Sequence, residues 1–244
     1  LGYLRAGARV ILSAGYQVSR QSAAAAGRGP AVGDELLVEA LRVAINARAQ
    51  WRGSAGGDEP DEAWVAASIG PYGAVLADGA EYRGSYACTD AELHRFHRER
   101  LEVLGASHDD DATGADVWWC ETIPDGREIG VLADELARAS ERLGEPSAPP
   151  PELVVTMTVG AEGRCVTGQP VAEAFAPILD LPGLIAVGAN CAPADDIGAA
   201  LQALGKVTTL PLVAKPNLGG QWDAELGAFV GPPSPGIADA DALA

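Results

Sequence analysis

The sequence predicts a parallel α/β fold, a (β/α)8 TIM barrel of which about six of the eight βα units are present in the chain. Three observations carry this. Short aliphatic runs alternate with longer segments of helical character along the whole chain, the signature of a parallel sheet. The runs are nearly continuous in apolar residues, as expected of strands covered on both faces. Unusual polar residues sit at the C-terminal end of nearly every run, where a barrel gathers its strand ends into one ring. A doubly wound sheet fits the first two observations equally well, but it uses only the strand ends beside its switch point. The third observation therefore selects the barrel.

The runs lie at residues 8–15, 63–70, 115–122, 152–160, 183–191 and 209–217. The polar residues that close them are Tyr16 and Gln17, then Gly70, Pro71 and Tyr72, then Glu121 and Thr122, then Asn190 and Cys191, and finally Pro216 and Asn217. Between the runs, residues 33–50, 89–105 and 125–144 read as helices. Asp34 and Thr89 stand at N-cap positions of the first two, and Gly105 and Gly144 close the second and third. Residues 52–62, 107–114 and 144–152 are rich in Gly, Pro, Ser and Asp and read as loops. No sequence repeat is evident, and residues 1–244 read as one domain, with two of a barrel's eight strands unaccounted for.

The formal net charge of −17 and the presence of only two lysines, Lys206 and Lys215, argue against nucleic acid or an anionic membrane as partner. No apolar run approaches the roughly 18–20 residues a membrane span needs. Four widely spaced cysteines, Cys88, Cys120, Cys165 and Cys191, are too sparse for a disulfide scaffold, so a reducing cytoplasm is the expected location.

Cys191 ends an aliphatic strand just before Pro193 and a helix, a place from which its sulfur can reach the ring of loops. Read from the pattern alone it is a metal ligand, a nucleophile, or a small core residue, the last being the commoner fate of a lone thiol. Neither a second cysteine nor a cysteine–histidine cluster completes a zinc set, and no histidine at a strand end supplies a base. His94 and His97 stand three apart on a charged helix and read as a solvated face. His108, beside three aspartates, reads as a loop residue without structure. Adjacent strand residues point to opposite faces, so Glu121 is placed toward the interior and Cys120 toward the helices. A carboxyl group closing a strand must be paired, hydrogen-bonded or protonated. Glu121 is therefore either the anchor of a cationic group or a cap for the turn that follows. Residues 68–86 form a Gly-rich loop without a phosphate-binding pattern and suit a lid.

Taken in order, "YLRAGARVILSAGYQVS", "ASIGPYGAVLADGAEYRGSY", "CETIPDGREI", "GANCAP" and "PLVAKPNLGGQWDA" resemble the homocysteine S-methyltransferase family, zinc-dependent barrel enzymes that make methionine. The resemblance covers most of the chain. It is nearest to the branch that uses S-methylmethionine or S-adenosylmethionine as methyl donor. It implies that Cys191 is one of three cysteine ligands to Zn2+, the other two belonging to a Gly-Gly-Cys-Cys motif with no counterpart here. It implies that Glu121 holds the amino group of homocysteine. Tyr16, Gln17, Gly70, Pro71 and Tyr72 then shape the substrate pocket, and Asn190 orients it. Tyr72, Tyr82 and Trp222 are candidates to surround the sulfonium. Lys215 departs from the family, which more often has a Tyr before Pro-Asn. The partners implied are small molecules, homocysteine and the sulfonium donor. The alternatives are a catalytically inactive, truncated homologue that serves as a binding or structural fragment, and an unrelated metal-independent barrel enzyme using Lys215.

Overall fold

The computed structural model describes residues 1–54, 62–108, 110, 112–143, 151–217, 219–223, 226 and 228–233. A short helix α1 (Gly2–Arg5) leads into strand β1 (Val10–Leu12), followed by α2 (Arg20–Ala25) and α3 (Pro30–Ser54). Then come β2 (Trp64–Ile69), α4 (Tyr72–Leu76), α5 (Asp90–Ala106), β3 (Val117–Ile123), α6 (Gly126–Leu143) and β4 (Glu152–Met157). A small ribbon of β5 (Val159–Gly160) and β6 (Arg164–Cys165) precedes α7 (Val171–Phe175), β7 (Leu184–Asn190), α8 (Ala194–Leu204) and β8 (Leu212–Lys215). A hairpin of β9 (Gly219–Asp223) and β10 (Ala228–Pro233) follows.

Each of the six predicted aliphatic runs contains a strand of one parallel sheet, in the order β1-β2-β3-β4-β7-β8. This order follows the chain without reversal, so the sheet has no switch point and is not doubly wound. The two faces separate by alternation. Ala67, Ile69, Trp118, Cys120, Val155 and Val187 pack under the helices with Leu101, Ile129, Leu132 and Ile197. Their neighbours Ala66, Val117, Trp119, Val154 and Ala186 meet on the opposite face, with Leu12 and Val213 against them. Cys120 thus points into the helix layer and Glu121 into the interior, as their positions in the strand predict.

The sheet is curled into part of a barrel. β4 lies between β3 and β7, so in a flat sheet those strands would stand roughly 9–10 Å apart. Yet the Asn190 side chain at the end of β7 accepts a hydrogen bond from the Thr122 amide of β3 at 2.9 Å. The concave side must also accommodate an indole, and the Trp119 Nε1–H donates to Thr156 Oγ1 at 3.1 Å.

The helices adjust the sequence-based reading in physical detail. The first long helix starts at Pro30 rather than beside Asp34, because a proline at the first position brings a helix-compatible φ and no wasted N–H. The Asp34 carboxylate is instead held by Arg20 Nε and Nη2 at 2.9 Å. Thr89 does cap α5, in a reciprocal box with Glu92. Asp125, passed over as a cap, accepts from the Glu128 amide at 2.9 Å and closes the start of α6. The expectation of a solvated histidine face is corrected: His97 is fully buried against Glu128, and His94 contacts Glu135 at 2.9 Å. The charge pattern misled because Glu128 and Glu135, on the facing side of α6, are themselves buried partners. His108 is likewise not a free loop residue, since its ring stands edge-on to Trp118 at 6.2 Å.

β1 and β8 form the two edges of the parallel sheet among the described residues, and Val10 and Leu212 on them are 38% and 39% exposed. Unpaired strand edges beside exposed apolar residues invite intermolecular pairing. The 244-residue chain is expected to self-associate in a concentration-dependent way, measurable by light scattering after size exclusion. A strict monomer across a hundredfold concentration range would refute this.

Candidate active site

The carboxyl ends of β2, β3, β7 and β8 converge on a small group of polar side chains. Glu121 is buried at 6% exposure on β3. Its Oε1 accepts from Ser68 Oγ of β2 at 2.5 Å, and its Oε2 receives Lys215 Nζ of β8 at 2.5 Å. Ser68 is itself fixed, because its amide donates to Ser13 Oγ at 3.1 Å. Glu121 therefore does not cap the following turn, a task taken by Asp125. Its carboxylate faces the interior with one buried partner, Ser68, and one half-exposed one, the Lys215 side chain being 42% exposed.

Cys191 and Thr122 close their strands in left-handed conformation, with φ of 55° and 62°. For residues carrying a Cβ this costs on the order of 1 kcal/mol or more each, so surrounding bonds must hold it. Asn190 does most of this. Its Oδ1 accepts from the Thr122 amide, while its Nδ2 donates to Thr122 Oγ1 at 2.7 Å and to Cys191 Sγ at 3.1 Å. The Cys191 amide donates to the Lys215 carbonyl at 3.0 Å, and the Cys191 carbonyl accepts from Thr158 Oγ1 at 3.3 Å. The sulfur is thereby held between Asn190 Nδ2 and Thr122 Oγ1. Replacing Asn190 with Ala leaves a buried amide and hydroxyl of Thr122 without their partner. An expected loss of about 2–3 kcal/mol in stability follows, measurable by urea denaturation.

Tyr16 and Tyr82 complete the mouth. Burial pushes both phenols up from their ordinary pKa, and the neighbouring Glu81 and Cys191 side chains act in the same direction, while Thr122 acts against it at Tyr16. Tyr82 also senses Glu121. The Tyr16 hydroxyl and Glu81 Oε2 are buried without a hydrogen-bond partner of good geometry in the structure. Gly70 lets Tyr16 lie where it does, because a Cβ at Gly70 would come within 2.4 Å of the Tyr16 carbonyl. The Gly70 carbonyl is held from behind by Arg100 Nη2 at 2.9 Å. Arg100 is fully enclosed, and burial lowers it to about 10.

The other sequence candidates make contacts of their own. Gln17 is spent on a structural tie, its Nε2 donating to the Ala74 carbonyl at 3.0 Å. Pro71 stands at the N-cap of α4. Tyr72 is not brought beside Cys191: its ring packs on Tyr86 at 5.6 Å and edge-on to Phe96 at 5.2 Å. Trp222 belongs to β9, and its side chain lies outside the described residues. The sequence reading passed over Ser68 and Glu81, and it named Thr122 only as a polar residue closing its strand. Ser68 was accessible through the same alternation that placed Glu121, since both face inward; Glu81 carries no local signal.

Among the described residues no three His, Cys, Asp or Glu side chains are grouped to hold a metal. Cys191 is one thiol donor, short of the three or four protein ligands of a zinc centre. The described residues therefore do not by themselves fit zinc.

A curled, half-barrel parallel sheet that presents a carboxylate, a lysine and a thiol at the carboxyl ends of its strands places them where α/β enzymes build their sites. A family model for homocysteine S-methyltransferase matches residues 1–234. The chain is 36% identical over 224 residues to homocysteine S-methyltransferase of Escherichia coli (strain K12), covering 92% of this chain and 67% of that one. It is 34% identical to homocysteine S-methyltransferase YbgG of Bacillus subtilis (strain 168), covering 91% and 66%. The chain spans about two thirds of the length of these relatives. The fold is similar to the metallated form of the homocysteine methyltransferase MmuM from Escherichia coli, with a TM-score of 0.75 and 34% identity over 93% of this chain and 75% of that one. The chain belongs to the homocysteine S-methyltransferase family.

Proposed function

We propose that this chain transfers a methyl group from a sulfonium donor, S-methylmethionine or S-adenosylmethionine, to the thiol of homocysteine, giving methionine. Family membership supports the acceptor, and the observation that carries the reading is the convergence of Glu121, Lys215 and Cys191 at one mouth. We take residues 1–244 as one domain whose six parallel strands belong to an eight-strand barrel. Glu121, held by Ser68, binds the substrate ammonium and fixes the amino-acid end. The homocysteine thiol then extends toward Cys191, Thr122 and Asn190. A thiol is mostly protonated at neutral pH and its thiolate is the nucleophile. In the transfer the new carbon–sulfur bond forms on homocysteine as the donor's breaks. The donor sulfur keeps that electron pair and becomes a neutral thioether, and the thiol proton leaves to solvent. Tyr82, close to the buried Glu81 Oε2 that lacks a hydrogen-bond partner, suits a cationic donor. Cys191 is proposed as one zinc ligand, with no group of three His, Cys, Asp or Glu among the described residues to complete the set.

The test is direct. Homocysteine and S-methylmethionine, or S-adenosylmethionine in parallel, are incubated with the protein and added zinc, and methionine is quantified by mass spectrometry. Donor-dependent methionine that disappears in Glu121→Ala supports the proposal. No methionine from either donor refutes catalysis by this chain.

A further inference from the structure

The Glu121–Lys215 pair has a chemistry that binding an ammonium alone does not use. Glu121 already has both oxygens engaged, by Ser68 Oγ and Lys215 Nζ, each at 2.5 Å. An incoming ammonium must therefore share Glu121 with a second cation or displace it. A simple amine would bring two positive charges onto one carboxylate with nothing to compensate the second. A zwitterionic α-amino acid brings its own anion one carbon away from its ammonium. Inserted between the two side chains, it turns a two-charge contact into an alternating row: carboxylate, ammonium, carboxylate, ammonium.

The two partners are built differently in a way that suits such insertion. Glu121 is rigid and buried, with an 8% exposed side chain, whereas the Lys215 side chain is 42% exposed and has a four-carbon stem that can swing. Its Nζ lies 5.8 Å from the Trp119 ring centroid. The backbone of Lys215 is fixed at the mouth, because its carbonyl accepts from the Cys191 amide. The three groups that the α-ammonium, α-carboxylate and side-chain sulfur of one small molecule would meet are thus carried by the ends of β3, β8 and β7, which the curl of the sheet brings together. We infer that Lys215 is a specificity-determining residue that receives the α-carboxylate of the substrate, and that the Glu121–Lys215 ion pair in the free protein is the closed form of a zwitterion-binding site. This rests on the proposed amino-acid acceptor but adds a residue and a selectivity to it.

Calorimetric titration under reducing conditions tests the inference without requiring turnover. The probes are L-homocysteine and its decarboxylated analogue, 3-sulfanylpropylamine, against the 244-residue chain and its Lys215→Met and Lys215→Arg variants. The unmodified protein is expected to prefer homocysteine over the amine. In Lys215→Met, homocysteine should weaken by about fivefold to tenfold, a half-exposed charge-assisted contact being worth no more, while the amine binds as well or better. Lys215→Arg should retain the preference, and raising the salt concentration should shrink it. Homocysteine binding that is unchanged or tightened in Lys215→Met overturns the inference, because Lys215 is then only a competitor for Glu121. If the unmodified protein binds neither probe, the functional reading itself fails, an outcome distinguishable from failure of the inference alone. Thermal melts of both variants confirm that the fold is kept.

Discussion

Glu121→Gln is expected to weaken L-homocysteine binding by about a hundredfold while leaving the protein folded. Removing the charge of a buried partner to an ionic group typically costs 2–5 kcal/mol, and about 2.7 kcal/mol corresponds to a factor of a hundred. The amide oxygen of Gln can still accept from Ser68 Oγ, so the β2–β3 contact survives. Lys215, already 42% exposed, can turn its ammonium to water. Stability should therefore move by less than about 1 kcal/mol. Calorimetry for binding and urea denaturation for stability separate the two effects. Unchanged affinity would remove Glu121 from the binding site, whereas joint loss of affinity and stability would make its role structural.

The second large effect is a fall in stability between pH 6.5 and 8. Glu128 is fully buried, accepting from the Tyr72 amide at 2.7 Å and from the Tyr86 hydroxyl, with His97 Nε2 2.7 Å away. Burial raises Glu128 from 4.5 to about 8 and holds His97 well below the imidazole value of 6.5. From pH 4.5 to 8 the folded protein retains a proton on Glu128 that the unfolded chain has released, so stability falls with rising pH. Below pH 6.5 the unfolded chain carries a proton on His97 that the folded protein lacks, which acts in the opposite sense. The two offset each other at lower pH, and the fall emerges above 6.5. Its slope approaches about 1.4 kcal/mol per pH unit, the limit for one proton. Urea midpoints at half-unit pH steps should trace this fall, and Glu128→Gln should flatten it. A flat profile in the unmodified protein would show that the cluster does not exchange a proton on unfolding.

The parallel sheet was legible because its strands are near-continuous aliphatic runs, and the inward placement of Glu121 followed from alternation alone. The β5–β6 ribbon and the β9–β10 hairpin were not anticipated. Two-residue strands have no period to detect, and the hairpin is rich in Gly. At the site, Cys191, Asn190 and Glu121 stood out as polar residues closing apolar strands. Ser68 did not, because its importance lies in a hydrogen bond to a residue 53 positions away. Tyr72 and Tyr82 were indistinguishable as aromatic residues of one loop. Tertiary packing turns one onto Phe96 and leaves the other beside Cys191. His97 was misread because its partner Glu128 lies on another helix, 31 residues on.

Because every parallel strand lies beside its predecessor in the sheet, the sheet can be laid down strand by strand as the chain leaves the ribosome. The polar side chains of the mouth do not share this convenience. Glu121 waits 94 residues for Lys215, and Thr122 waits 68 for Asn190. At translation rates of about 5–20 residues per second, those gaps last on the order of ten seconds. During synthesis β2, β3 and β4 can already pair while the carboxylate and the strained end of β3 stand without their later partners. The chemistry of this protein is thus assembled last, and a pause or break before β7 leaves a sheet with no mouth.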